Sequence, residues 1–209
     1  KKLEKCNISA QISNFRHLKE LKIDAIAFLS EVEELPMLEI LVVFGLLPLK
    51  LNQIIHKFPN LRTIEMHYSR LFYDEEEFMK AYGRISFPFE FKRLIIIDST
   101  VGSLKAKSIK SLVLKNVKIC EDFFTENPQI EEISIENCEF GDEIFKKLTE
   151  NFTQLSKLTI IDEKITQTTI DEVERNCHHL NILRLKKIKR EFDLKKLLAG
   201  NRKLKVFVN

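Results

Sequence analysis

The sequence predicts an α/β solenoid in which each repeat adds one strand to a parallel sheet and returns along the other side as a short helix or irregular segment. A block of the form apolar-x-x-apolar-x-apolar recurs along the 209 residues, most clearly as Ile130-x-x-Ile133-x-Ile135 and Leu155-x-x-Leu158-x-Ile160. Between these two blocks Ile144, Leu148 and Phe152 stand at helical spacing. The composition, 44% hydrophobic with five Gly and five Pro, leaves little room for linkers and excludes a disordered or collagen-like chain.

The second and third apolar positions of the block are two residues apart, so in a strand both point into the core and the residues between them face outward. Cys138, three residues beyond Ile135, falls at an inward position of the turn that follows. With that cysteine the pattern resembles the leucine-rich repeat, whose horseshoe-shaped solenoid carries a parallel β-sheet on its concave face and short helices and irregular segments on its convex face. One such unit cannot bury its own apolar faces, and stacking solves this.

In chain order, Leu3, Cys6 and Ile8 match Ile135, Cys138 and Phe140, so the first repeat is entered halfway. Blocks then begin at Leu18, Leu38, Leu61, Phe91, Ile109, Ile130, Leu155, Leu180 and Leu204, with spacings from 18 residues (Phe91 to Ile109) to 30 (Leu61 to Phe91). Residues 1–209 are thus expected to form a single domain of about ten repeats, and an opening on Lys1 in mid-repeat points to a piece of a longer protein. In the long unit Tyr73 to Tyr82 reads as a helix with acids in its first turn, where the helix dipole favours them. Ile85 to Phe91, after Gly83, reads as an extended aromatic segment. In the short unit Asp98 to Ser108 lacks room for a helix and is expected to be extended or irregular. Phe192 and Phe207 fit core positions.

The residues ahead of several blocks, Leu35-Pro-Met-Leu38, Phe58-Pro-Asn-Leu61, Asn127-Pro-Gln-Ile130 and Cys177-His-His-Leu180, are similar to the C-P-x-L lead-in of cysteine-containing leucine-rich repeats, the subclass carried by many F-box proteins. That resemblance implies the substrate-recognition domain of a ubiquitin ligase. Its link to the ligase subunits would be an F-box upstream of Lys1, since these residues contain none.

Cys6, Cys120, Cys138 and Cys177 are dispersed and form no C-x-x-C pair. Cys6 and Cys138 lie several repeats apart, and with strands about 5 Å apart they are too distant to bridge. Reduced core thiols in an intracellular protein, of cytoplasm or nucleus, are the reading that follows. The sequons Asn7-Ile-Ser and Asn151-Phe-Thr keep an extracellular recognition module as an alternative. No run of 18 apolar residues is present, so no membrane partner is expected.

A sheet face without a partner would be polar at most outward positions, yet Ile40, Val42 and Phe44 cluster on one strand and Ile95, Ile97 and Val113 on two others. The expectation is a protein partner on this concave face, with Ile95 and Val113 as centre and His67 and Arg93 as polar neighbours. β-branched residues also suit strands for their own sake, which leaves a structural reading open. From His178 onward ten Lys and Arg face only Glu191 and Asp193, although the whole chain carries a net +3. Arg184 and Lys186 should project from the concave side, with Lys187, Lys189 and Arg190 in the loop that follows. An acidic partner fits this end, and nucleic acid is the alternative, weakened by the scarcity of aromatics there.

No P-loop, G-x-G-x-x-G, H-E-x-x-H or G-x-S-x-G motif is present. His178 and His179 are adjacent and diverge, and the acidic runs Asp74 to Glu77 and Glu131-Glu132 read as solvated faces. The sequence therefore predicts no enzyme, no cofactor and no metal site, but a protein-interaction scaffold.

Overall fold

A computed structural model describes residues 16–23, 34–44, 54–67, 84–87, 92–101, 103–106, 108–119, 127–138, 141–161, 164–188 and 192–208. The half-repeat at Leu3 to Ile8, the helix expected over Tyr73 to Tyr82, Cys120 and the end of the aromatic segment at Phe91 lie outside them. Among the described residues the strands are β1 (Glu20–Ile23), β2 (Ile40–Phe44), β3 (Thr63–His67), β4 (Arg84–Phe87), β5 (Arg93–Ile97), β6 (Thr100–Val101), β7 (Ser103–Ala106), β8 (Ser111–Lys115), β9 (Lys118–Ile119), β10 (Glu132–Glu136), β11 (Lys157–Ile161), β12 (Ile182–Lys186) and β13 (Lys205–Val208). Nine of them form one parallel sheet in the order β1-β2-β3-β5-β8-β10-β11-β12-β13. The chain is α/β and solenoid-like, each strand of this sheet pairing with the one laid down before it.

Register follows the apolar blocks. One inward row runs Leu21, Leu41, Ile64, Leu94, Leu112, Ile133, Leu158, Leu183, Val206, and the next runs Ile23, Val43, Met66, Ile96, Leu114, Ile135, Ile160, Leu185, Val208. Most of these side chains are fully buried in a single apolar cluster. A shift of one residue would turn a whole strand's apolar set to solvent, so burial dictates the pairing.

Ahead of the strands a tight turn repeats. The carbonyls of Leu35, Phe58, Asn127, Phe152, Cys177 and Asn201 accept the amides of Leu38, Leu61, Ile130, Leu155, Leu180 and Leu204. Pro36, Pro59 and Pro128 occupy the second position of three of these turns, where a fixed φ near −65° is already correct. A forked contact then ties successive repeats as far as β12: the Glu131 carbonyl accepts the Ser156 and Lys157 amides at 2.8 and 3.1 Å, and the Ser156 carbonyl accepts those of Asn181 and Ile182 at the same distances.

The chain leaves several strands through a residue in the left-handed region: Asp98, Asn116, Asn137 and Lys187, with φ of 52°, 52°, 50° and 56°. Asn and Asp tolerate this conformation better than other non-glycine residues. Three of the four also bond side by side, Asn137 Nδ2 donating to Asn116 Oδ1 at 2.8 Å and Asn116 Nδ2 to Asp98 Oδ1 at 2.7 Å.

The back of the sheet varies. Between Asp98 and Ser108 the described residues include the short strands β6 and β7 and no helix, with β6 pairing β9 and β7 pairing β4 in two small parallel sheets. Later units carry α1 (Asp142–Asn151), α2 (Gln167–Asn176) and α3 (Lys195–Gly200). Helix α1 opens on Asp142 and Glu143, favoured by its dipole, and buries Phe145 and Leu148, with Phe152 closing its end. Asp142 also accepts hydrogen bonds from the Thr166 and Thr169 hydroxyls at 2.8 and 2.9 Å, joining the starts of α1 and α2. At their far ends Asn176 Nδ2 donates to Thr149 Oγ1 at 3.0 Å and to Glu172 Oε2 at 3.1 Å, while Arg175 holds the other oxygen of the buried Glu172 carboxylate at 2.6 Å.

One core expectation is corrected. Phe207 is not inward: β13 pairs Val206 with Leu183 and Val208 with Leu185, leaving Phe207 on the outward side and 45% exposed. The last unit advances from Leu204 to its first inward strand residue in two steps instead of three. The block spacing would have placed Asn209 inward; register instead puts Val206 and Val208 on the inward side, with Val208 still 55% exposed on this last strand.

Leu158, fully buried in the middle of its row, supports both neighbouring strands. Leu158→Ala is expected to cost about 3 kcal/mol in denaturant unfolding, the typical size of an unrelaxed core cavity. Lys187→Asn, which suits the left-handed turn, is expected to raise stability by up to about 1 kcal/mol in the same measurement.

Candidate interaction surface

The outward side chains stand in rows as regular as the core. The middle row runs Lys22, Val42, Glu65, Ile95, Val113, Ser134, Thr159, Arg184, Phe207. The sequence-derived contact residues Ile40, Val42, Phe44, His67, Arg93, Ile95, Ile97 and Val113 all lie on this face. Their two aliphatic clusters are separated by β3, whose outward residues are Thr63, Glu65 and His67.

His67 bridges that gap. Its ring stacks on Phe44 with centroids 4.4 Å apart and planes at 27°, and its Nε2 lies 2.6 Å from Glu65 Oε1. Ile97 is its register neighbour on the other side, and Ile95 lies beside Val113. An apolar strip thus runs from Phe44, 37% exposed, across the His67 ring to the half-buried Ile97, Ile95 and Val113. Arg93 is exposed at its margin. Val42 is only 3% exposed between Lys22 and Glu65, so it contributes to the floor of the face and offers almost no surface.

At the other end the Arg184 guanidinium lies over the Phe207 ring, 5.5 Å from its centroid. Lys186 and Lys187 are exposed, and Lys205, beside Ile182 in register, joins them. Lys189 and Arg190 lie outside the described residues. Two earlier outward lysines are matched by acids on a neighbouring strand: Lys115 with Glu136 at 3.2 Å and Lys157 with Glu132 at 3.4 Å. Among the described residues no ion pair engages Arg184, Lys186, Lys187 or Lys205, so positive charge gathers at β12 and β13. Sequence reading missed Phe207 and Lys205 here, because both follow from the shortened last unit.

Cys138 and Cys177 are buried and in no disulfide, Cys138 within 3.4 Å of the Glu136 carbonyl. Among the described residues no group of three or more His, Cys, Asp or Glu side chains converges to hold a metal ion, and no helix is long and apolar enough to cross a membrane. No family model matches the chain, and no curated protein matches it.

Burial pushes the Cys177 thiol up from 9.0 to about 12. The unfolded chain ionises first, so this thiol's contribution to stability is intact below pH 9 and lost as pH rises toward 12. Cys177→Val is expected to flatten the alkaline fall of the unfolding midpoint over that range. In the native protein Cys177 is expected to resist iodoacetamide at pH 8 until denaturant is added, read by mass spectrometry.

Proposed function

We propose that the chain is a protein-interaction scaffold of the leucine-rich repeat type, curved as a horseshoe, whose outward sheet face is the concave binding surface. The apolar strip from Phe44 to Val113 carries this reading, since these side chains contribute nothing to the inward rows and a contiguous apolar area on a sheet face is a mark of recognition. One strand per repeat, the recurring lead-in turn and the inward Cys138 support the repeat class. Within that class the likeness of the lead-ins to F-box proteins favours substrate presentation to ubiquitin-ligase subunits, held through an F-box elsewhere in the protein. The role is binding without catalysis, cofactor or metal.

The absence of a disulfide at Cys138 and Cys177 favours an intracellular setting over the extracellular alternative. At Asn151 the side-chain amide already donates to the Lys147 carbonyl at 2.7 Å, and the next residue, Phe152, is buried, which disfavours glycan attachment. Asn7 lies outside the described residues.

Immobilised wild-type chain and Ile95→Glu/Val113→Glu, compared for capture from an extract of the source organism with mass spectrometry, test the scaffold reading. A protein held by the wild type and lost from a variant with unchanged circular dichroism is the expected result. Identical captures by the two folded proteins would exclude the apolar strip as the binding surface.

A further inference from the structure

Resting on the scaffold reading, we propose that the middle outward row is a track for one extended peptide segment that is aliphatic at its β5 end and acidic at its β12 end. Between Ile95 and Arg184 this row holds only Val113, Ser134 and Thr159, short side chains beside the longer ones on either side. Thr159 is only 8% exposed, so the floor lies below its flanks. The flanks of the path are the Glu132–Lys157 pair on one side and the Lys115–Glu136 pair, followed by Ile161 beside Thr159, on the other, the pairs at 3.4 and 3.2 Å. Mutual neutralisation leaves the flanks without net charge, so charge selection falls to the unpaired cations at the end of the row.

The chemistry of the two ends sets the occupant. Ile95, with Val113 and Ile97 beside it, suits an aliphatic or aromatic anchor. Arg184 is oriented by its cation–π contact with Phe207 and meets no carboxylate among the described residues, so its guanidinium is available to a carboxylate from outside. From β5 to β12 the row crosses four strand spacings, about 19 Å. An extended chain covers that in about six residues. The partner segment therefore carries an apolar residue and an Asp or Glu about six positions apart. Nucleic acid fits less well, because the paired flanks offer no net positive charge along the path and, among the described residues, Phe207 is the one exposed phenyl ring at the basic end.

Random peptides displayed on phage and selected on the whole chain test this, with affinities of the selected sequences measured as synthetic peptides. The expected result is enrichment of Asp or Glu about six residues from an aliphatic or aromatic residue. Arg184→Glu should weaken such a peptide roughly tenfold, and a Lys in place of the peptide's acid should restore binding to that variant. Lys186→Glu, which leaves the Phe207 contact alone, should weaken it severalfold. Recovery of no peptide, an absence of acidic enrichment, equal affinity for wild type and a folded Arg184→Glu, or displacement of the peptide by a single-stranded oligonucleotide would overturn the track. Peptides that need Ile95 and Val113 but ignore Arg184 would overturn it while leaving the scaffold reading standing. Failure of the scaffold reading itself would appear separately, as unchanged capture by Ile95→Glu/Val113→Glu.

Discussion

The fold depends on the coincidence of two periodicities. Strand side chains alternate every two residues, and the apolar block places its last two hydrophobes two residues apart, so each strand offers one apolar edge to the same layer. Parallel pairing then stacks like on like, Leu112 beside Ile133 beside Leu158, with the backbone hydrogen bonds and the buried side chains requiring the same alignment. A strand out of step would lose both at once. At β13 the row is kept although the block spacing is not: Val206 continues the inward row beside Leu183, while Val208, beside Leu185, stays 55% exposed on the last strand of the sheet.

The same rule determines how much could be read in advance. Periodicity is visible in residue types, so the strands, the inward rows, the helix over Ile144 to Phe152 and the outward direction of Ile95, Val113 and Arg184 were all legible. The lead-in turns were legible as well, because proline advertises its position. Phe207 was misplaced because a one-residue shortening leaves no mark in composition, and an aromatic residue fits either face of an edge strand. Asp98, Asn116 and Asn137 did carry a signal, an Asn or Asp directly after a strand, but the bonds between them depend on three repeats lying side by side. Likewise Val42 alternates outward as expected, and only its neighbours in the assembled sheet make it inaccessible. Contacts across repeats are the part that a linear pattern conveys least.

The two faces of the sheet are under different constraints. Inward positions are filled by a narrow set of aliphatic residues, whereas outward positions range from Glu132 to Ile95 to Arg184 without disturbing a strand. The polar bonds around Asp142, Thr149 and Glu172 fasten the helices to one another at the back, leaving the front free of structural duties. Apolar, neutral and basic zones can then follow one another along a single row.

The back of the sheet also has a consequence for how such a chain can change. The unit between β5 and β8 crosses in extended segments within an 18-residue spacing, while the unit leading from β10 to β11 spends 25 on a full helix, and both deliver the next strand in the same alignment. Length in these crossings is therefore absorbed behind the sheet, unlike the shortening after the last lead-in turn, which brings Phe207 to the front. Gains and losses of a few residues in these crossings are silent for recognition, whereas gain or loss of a whole unit moves every later outward residue by one strand spacing, about 4.8 Å. The surface evolves as a ruler with fixed gradations, on which marks can be recoloured individually but shifted only in whole steps.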